Sequence, residues 1–363
     1  MTAEGKRFVA VWAVGLVLLF AVSGYFGVRV VRGDAAATAE TQTTRIESPT
    51  HPQNVPASDL QAQSGANPVD VRVGVNINRI GEFALKESAW TADFNLWFLW
   101  SSDAVMPGET FNLVNGQILQ QNIRETSQNG TERYVEYHMV ARMRMDFDAT
   151  RFPFAEEAVH IQVEDATPGA VAVRYVADEQ HSALGNAAMP RAATCSSFKV
   201  YTSTSDDTSR PGKRGASGGK PVGRSQFTAQ MQIVPEGVGI YRRMFQALFA
   251  SVAVALIALY IKPTHVDCRF GLPVGGFFAS VSNNIFVGSL LPFSNAPTLT
   301  DVVNAVSLLT IFLILVQSVI SLYLFDTMGR ERLSRFFDRI SFVVFLLGYV
   351  VINLTLPFAA RPQ

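Results

Sequence analysis

Apolar residues in this chain are gathered into runs rather than spread evenly. Residues 8–28, 244–261, 270–291, 302–325 and 340–359 each hold enough of them for a helix of about 20 residues to cross a bilayer. In hydrocarbon the backbone amides must be satisfied within the segment, so each run is predicted as a helix. A core helix of a soluble protein would carry charges on an exposed face, and residues 302–325 carry none. Between the first run and the second the period drops to two. Residues 71–80 (V-R-V-G-V-N-I-N-R-I) and 90–100 (W-T-A-D-F-N-L-W-F-L-W) alternate as half-buried strands do. Further strand-like stretches are 134–146, 158–164, 170–176, 197–204 and 226–234. Turn residues separate most of them and no helical period intervenes, which predicts an antiparallel β-sandwich. Residues 33–69, rich in Ala, Thr, Gln, Ser, Asn and Pro, read as a flexible linker.

Charge orients these elements. Lys6 and Arg7 precede the first run, and Arg330, Arg332, Arg335 and Arg339 lie between the last two. Basic flanks mark the cytoplasmic side. Five crossings then place residues 33–240 and the C-terminus outside the cell inner membrane. Arg29 and Arg32 run against this rule, just outside the first run. That run is read as a membrane anchor or a signal peptide, with residues 35–37 as a small-residue cleavage site in the second case.

Composition narrows the function. Only 17% of the 363 residues are charged and 48% are hydrophobic, with Lys+Arg and Asp+Glu at 30 each, so nothing points to nucleic acid. Cys195 and Cys268 fall on opposite sides of the membrane in this topology and cannot pair within one chain. No metal-ligand spacing, nucleophile elbow or phosphate loop is present, so no enzyme activity and no cofactor are expected. Residues 205–224 hold Arg210, Lys213, Arg214, Lys220 and Arg224 among Ser and Gly, either a solvated loop or an anion-attracting flap.

Residues 130–164 (GTERYVEYHMVARMRMDFDATRFPFAEEAVHIQVE) resemble the central signature of pentameric ligand-gated ion channels, the Cys-loop receptor superfamily. Phe152, Pro153 and Phe154 match its F-P-F-D turn, and Asp148 matches the Asp four residues before. Met145 and Val159 stand where animal receptors carry cysteines, as in bacterial members that lack the disulfide. Residues 73–100 look like the first two strands and their joining loop. Trp100 matches the start of a W-x-D motif whose Asp comes one residue late, at Asp103. The stretch FASVSNNIFVGSLLPFSNAPTLTDVVNAV is similar to the second and third bundle helices of bacterial channels, and RISFVVFLLGYVVINLTLPF to the fourth. Departures are Ala155 in place of the turn's Asp, no proline in the first bundle helix, and Gly271, Pro273, Gly275 and Gly276 low in the second.

The resemblance implies a homo-oligomer, a pentamer, whose second bundle helices ring a pore. Alignment on Pro292 turns Asp267, Gly271, Gly275, Phe278, Ser282, Ile285 and Ser289 toward its axis. Small and hydroxyl residues suit a hydrated lining, and Phe278 suits a ring that closes by dewetting. Asp267 at the cytoplasmic mouth favours cations, while Arg269 would weaken or reverse that field. Asn283 and Asn284 are expected as hydrogen-bonding glue between subunits. Gating would pass through residues 82–87, the turn 152–157 and the loop 292–300. Arg242 or Arg243 would be the basic partner, and Glu87, Asp148 or Glu156 the acid. The aromatic agonist site has only Tyr175, Tyr201 and Phe227 as candidates.

The sequence thus divides into an anchor or signal segment (1–32), a linker (33–69), an outer β-sandwich (70–240) and a four-helix transmembrane pore domain (241–363). The expected function is passive, ligand-gated ion conduction, with membrane lipid and an unidentified small molecule or ion as partners. The alternative is a non-conducting membrane sensor that keeps the channel fold. A transporter fits less well, for want of internal repeats and midplane charges.

Overall fold

The computed structural model describes residues 3–47, 68–166, 173–190, 193–206, 223–294 and 296–361. The chain divides into two compact units. One comprises residues Thr38–Phe147 and Glu156–Pro235; the other comprises Met1–Ala37, Asp148–Ala155 and Glu236–Gln363.

The first unit is β-rich. Its strands are β1 (Val69–Ala84), β2 (Ala89–Trp100), β3 (Phe111–Leu113), β4 (Gly116–Asn129), β5 (Glu132–Arg144), β6 (Glu157–Asp165), β7 (Val173–Ala177), β8 (Ala183–Leu184), β9 (Ala193–Asp206) and β10 (Gly223–Pro235). One sheet runs β4-β5-β2-β1-β7, with β8 also on β1, and the other runs β3-β6-β10-β9. Alternation decides which side chains turn inward. Val71, Val73 and Val75 on β1, Phe94, Leu96 and Phe98 on β2, and Val159, Ile161 and Val163 on β6 join one apolar core with Phe227 and Met231 of β10.

The sheets are mixed, where an antiparallel sandwich was expected. β7 and β8 both pair in parallel with β1. The paired residues of β1 and β7, such as Val69 and Val173, lie about a hundred positions apart, so no hairpin dictates their relative direction. The short β3 and β8 and the long β4 went unread in the sequence. β4 is an edge strand, Q-I-L-Q-Q-N-I-R-E-T-S-Q-N after Gly116, polar on both sides because almost none of it is covered. Its hairpin with β5 closes at Asn129↔Glu132 over Gly130, whose φ of +61° suits glycine. Most of residues 205–224 lies outside the described residues, as do residues 48–67 of the linker and 170–172 of the expected strand 170–176.

The second unit is helical. Its long helices are α1 (Ala3–Glu47), α2 (Gly237–Ile257), α3 (Val266–Leu290), α4 (Leu299–Leu322) and α5 (Glu331–Ala360). All five contain stretches long and apolar enough to cross a membrane, and α3 is the least apolar of them. α1 runs on through residues 33–47, taken as linker in the sequence. The stretch D-A-A-A-T-A-E favours a helix because alanine loses no side-chain entropy there. Residues 35–37 therefore lie within α1.

α1 and α5 are parallel neighbours. The Trp12 ring lies 5.6 Å from Phe337 and the Phe20 ring 6.1 Å from Phe345. Farther along, Gly24 faces Ile352 and Gly27 faces Leu356, close enough that a Cβ on Gly27 would lie 3.0 Å from the leucine. α2 packs on α3 and α4, α3 on α4, and α4 on α5. α4 starts at a capping box in which Thr298 accepts from the Asp301 N–H at 3.1 Å and Asp301 accepts from the Thr298 N–H at 2.9 Å.

Candidate functional site

α3 has two unlike faces. Arg269, Pro273, Gly276, Ser280, Asn283 and Val287 are buried, at the three- and four-residue steps of one helix side. Asp267, Gly271, Gly275, Phe278, Ser282, Ile285 and Ser289 are all exposed, on the side directly opposite. These seven are the residues that the resemblance turns toward a pore. Phe278 is 66% exposed and Ile285 69%, while Phe277 is half-buried with its ring 6.3 Å from that of Phe278.

The glycines separate by face as well. A Cβ on Gly276 would stand 2.8 Å from the Ser251 carbonyl oxygen, so this glycine lets α3 approach the α2 backbone. A Cβ on Gly271 or Gly275 would meet nothing within 4 Å. Ser282 donates to the Phe278 carbonyl at 3.0 Å and Ser289 to that of Phe286 at 2.7 Å. Both hydroxyl protons are thus satisfied within the helix, and the oxygens remain able to accept from water.

The buried face bears on two expectations. Arg269 is fully buried and does not share the exposed face with Asp267. Its guanidinium donates to Asp338 Oδ1 of α5 at 2.6 Å and to the Ile261 carbonyl at 2.7 Å. Asp338 also accepts from Gln317 at 3.3 Å and, at Oδ2, from Ser321 at 2.8 Å. Ser334 donates to the Ser321 carbonyl at 3.0 Å and closes the cluster. Asp338 therefore neutralises the arginine that was expected to oppose the Asp267 field. Asn283, expected between subunits, donates within the chain to Asn304 of α4 at 3.5 Å, and Asn304 donates to the Thr300 carbonyl at 2.9 Å. Asn284 is exposed. The Arg269–Asp338 pair was missed because 69 residues separate its members. The available signal was Gln317, Ser318 and Ser321 in the second half of a membrane-length run, since polar groups in a span need partners.

The F-P-F turn belongs to the helical unit. Residues Asp148–Ala155 group with the helices, and the Leu299 N–H at the start of α4 donates to the Thr150 carbonyl at 2.8 Å. Asp148 accepts from the Thr150 amide at 2.9 Å and from its hydroxyl at 2.6 Å, which shapes the turn. Phe152 precedes a cis bond to the buried Pro153. Phe154 is buried, its ring 5.8 Å from Tyr241 on α2. Gly237 makes room for this contact, because a Cβ there would stand 2.6 Å from the Phe154 ring and 2.8 Å from the Pro153 carbonyl. The aromatic contact continues from Tyr241 to Phe249 at 6.1 Å, then to Tyr349 of α5 at 6.3 Å. Tyr349 shares a 2.8 Å hydrogen bond with Ser307 of α4. The turn is thus continuous with three helices. Pro292 is half-buried in the loop after α3.

The charged candidates are spread more widely. Arg242 and Arg243 are exposed on the first turns of α2. Glu87 pairs with Arg142 within the β unit, and Glu156 is exposed. Asp103, the displaced acid after Trp100, pairs with Arg133.

The agonist-site candidates fare worst. Tyr175 and Phe227 are 2% and 0% exposed in the β core, so neither offers a face to a ligand. Alternation explains this, because both sit at inward positions of their strands. Burial pushes the Tyr175 phenol well above the usual tyrosine range. Tyr201 on β9 is half-buried, donates to Gln230 at 3.3 Å, and has its phenol raised by burial. The structure does not bring the three together as an open site. Cys195 and Cys268 are free thiols.

Set against protein-family models and curated proteins, the sequence matches none. The functional reading therefore rests on the residues themselves.

Proposed function

We propose that the protein is a pentameric ligand-gated ion channel of the cell inner membrane, with an outer β-sandwich and a bundle formed by α2 to α5. Five copies of α3 ring the pore. The observation that carries this reading is the exposed stripe of α3. A lone chain would present Asp267, two glycines and two serines to lipid, on the least apolar of the five helices. Such a face fits a water-filled lumen closed by further copies, and small or hydroxyl residues with one apolar ring are what a conducting path uses. Phe278 is the constriction. Asp267 forms the selectivity ring, and with Arg269 paired to Asp338 the field at that mouth is negative, so the channel passes cations.

Support for the topology comes from α1 and α5. They run parallel, so Lys6 and Arg7 stand at the same end as Arg330, Arg332, Arg335 and Arg339. One side of the membrane collects these charges, in keeping with a cytoplasmic face. The F-P-F turn and Arg242 or Arg243 couple the outer domain to the pore. Reversing both arginine charges should abolish ligand-evoked flux with surface expression intact, whereas a wild-type response would place coupling elsewhere.

Native mass spectrometry in mild detergent should give a homopentamer, and reconstituted liposomes should pass monovalent cations in preference to chloride. Monomers or dimers in every detergent would overturn the reading. A pentamer that passes no ion even when Phe278 is replaced would favour the non-conducting sensor.

A further inference from the structure

Arg29 and Arg32 stand at the end of the apolar stretch of α1 opposite Lys6 and Arg7, away from Arg330, Arg332, Arg335 and Arg339. The helix on which they lie supplies a reason. Gly24 and Gly348 bring α1 and α5 into close contact along one line, and beside that line a groove of about 580 Å³ opens. Val17, Ala21 and Val28 line it from α1, Leu347 and Val351 from α5. Its only polar side chains are Tyr25 and Thr355, and both belong to the same end.

The groove runs into the arginines. On a helix, residues four apart stand one above the other. Ala21, Tyr25 and Arg29 form one such row, and Gly24, Val28 and Arg32 the next. Both arginines are exposed, and neither has an ion-pair partner among the described residues. Arg361, beyond the end of α5, is a third exposed guanidinium at this end, 5.1 Å from the Phe358 ring. Residues 8–33 and 340–361 contain no acidic residue. Asp301, next to the Val302 that Gly27 touches, is taken up by its capping box with Thr298.

We propose that this groove is a binding site for an anionic membrane phospholipid. One acyl chain lies along residues 17–28 of α1 and against Leu347 and Val351, and the phosphate sits among Arg29, Arg32 and Arg361. Guanidinium suits phosphate because its planar fork donates two hydrogen bonds at once. Tyr25 and Thr355 face the glycerol region, where one end of a side chain is apolar and the other polar. The site depends on α1 and α5 lying in a membrane and is independent of conduction.

The test uses the full chain in detergent, with phosphatidylglycerol and phosphatidylcholine of the same acyl chains added separately. Native mass spectrometry counts retained lipids per chain, and intact mass shows whether α1 is present. Wild type should retain phosphatidylglycerol in preference to phosphatidylcholine. Arg29→Gln with Arg32→Gln should lower phosphatidylglycerol retention by roughly 30-fold, about fivefold for each arginine. Lysine at both positions should restore most of it, and Ala21→Trp, which fills the groove, should lower retention of both lipids. Equal retention by wild type and the double Gln variant would overturn the proposal, as would a purified chain lacking α1. Disulfide cross-linking of Ala21→Cys to a second copy, in a Cys195→Ser, Cys268→Ser background, would also overturn it by placing another chain in the groove.

Discussion

The β unit and the helical unit both bury apolar side chains, but they differ in what else they hide and in what they leave exposed. In the first, valine, phenylalanine and isoleucine fill the core, and polar residues alternate outward along the strands. In the second, Leu347, Val351, Leu354 and Phe358 are exposed on α5, while Arg269, Gln317, Ser321, Ser334 and Asp338 are buried. Water drives the first arrangement, because burying apolar area is its main source of stability. Lipid tails are as apolar as leucine, so the second gains little from hiding such side chains. Its cohesion comes from close packing and interhelical hydrogen bonds. One face fits neither pattern. The exposed side of α3 carries Asp267, two glycines and two serines besides its apolar residues, and the proposed pore rests on that mixture.

The largest effect expected from breaking this contrast is at the buried ion pair. Asp338→Ala leaves the Arg269 guanidinium buried without its carboxylate, which should cost about 3–5 kcal/mol. Arg269→Met with Asp338→Leu should recover most of that loss. Heating the detergent-purified protein and following the folded fraction by size exclusion checks both, and equal losses would show that the charge is not the cause.

Packing at the turn comes next. Gly237→Ala drives a Cβ against the Phe154 ring and the Pro153 carbonyl, a clash worth about 1–3 kcal/mol. Gly239→Ala is the control, since its nearest neighbour would stand at 3.6 Å, an ordinary contact. A larger loss from the control would mean that helix propensity and not the turn contact decides.

Smallest is Tyr175→Phe. It removes a buried hydroxyl that has no hydrogen-bond partner among the described residues, so stability should change by less than about 1 kcal/mol. Ligand response should be unchanged too, whereas its loss would return Tyr175 to the agonist site.

The parts of this molecule that the sequence made readable are those where one local rule decides. Apolar runs of about 20 residues identify membrane helices because lipid permits little else. The seven α3 residues that the resemblance, anchored on Pro292, puts on one side of the helix are exposed in this chain. Non-local choices were hidden. The parallel pairing of β1 with β7, Val71 opposite Tyr175, joins residues a hundred apart. That pairing also fixes which way Tyr175 faces, so its burial was equally out of reach. Arg269 looked like a pore charge because its partner lies on another helix, and β4 went unread because an edge strand needs few apolar residues.

The central claim is that the exposed stripe of α3 faces water between copies of this chain, with Phe278 as its constriction. Basal cation flux from reconstituted variants, normalised to pentamer content, tests it most directly. Phe278→Ser should leak without ligand because the ring gains hydroxyls and the closed path wets, with Phe278→Ala giving a smaller leak. Phe277→Ser, at a half-buried position, should mainly reduce assembly. A leak from Phe277→Ser with a silent Phe278→Ser would contradict the assigned face.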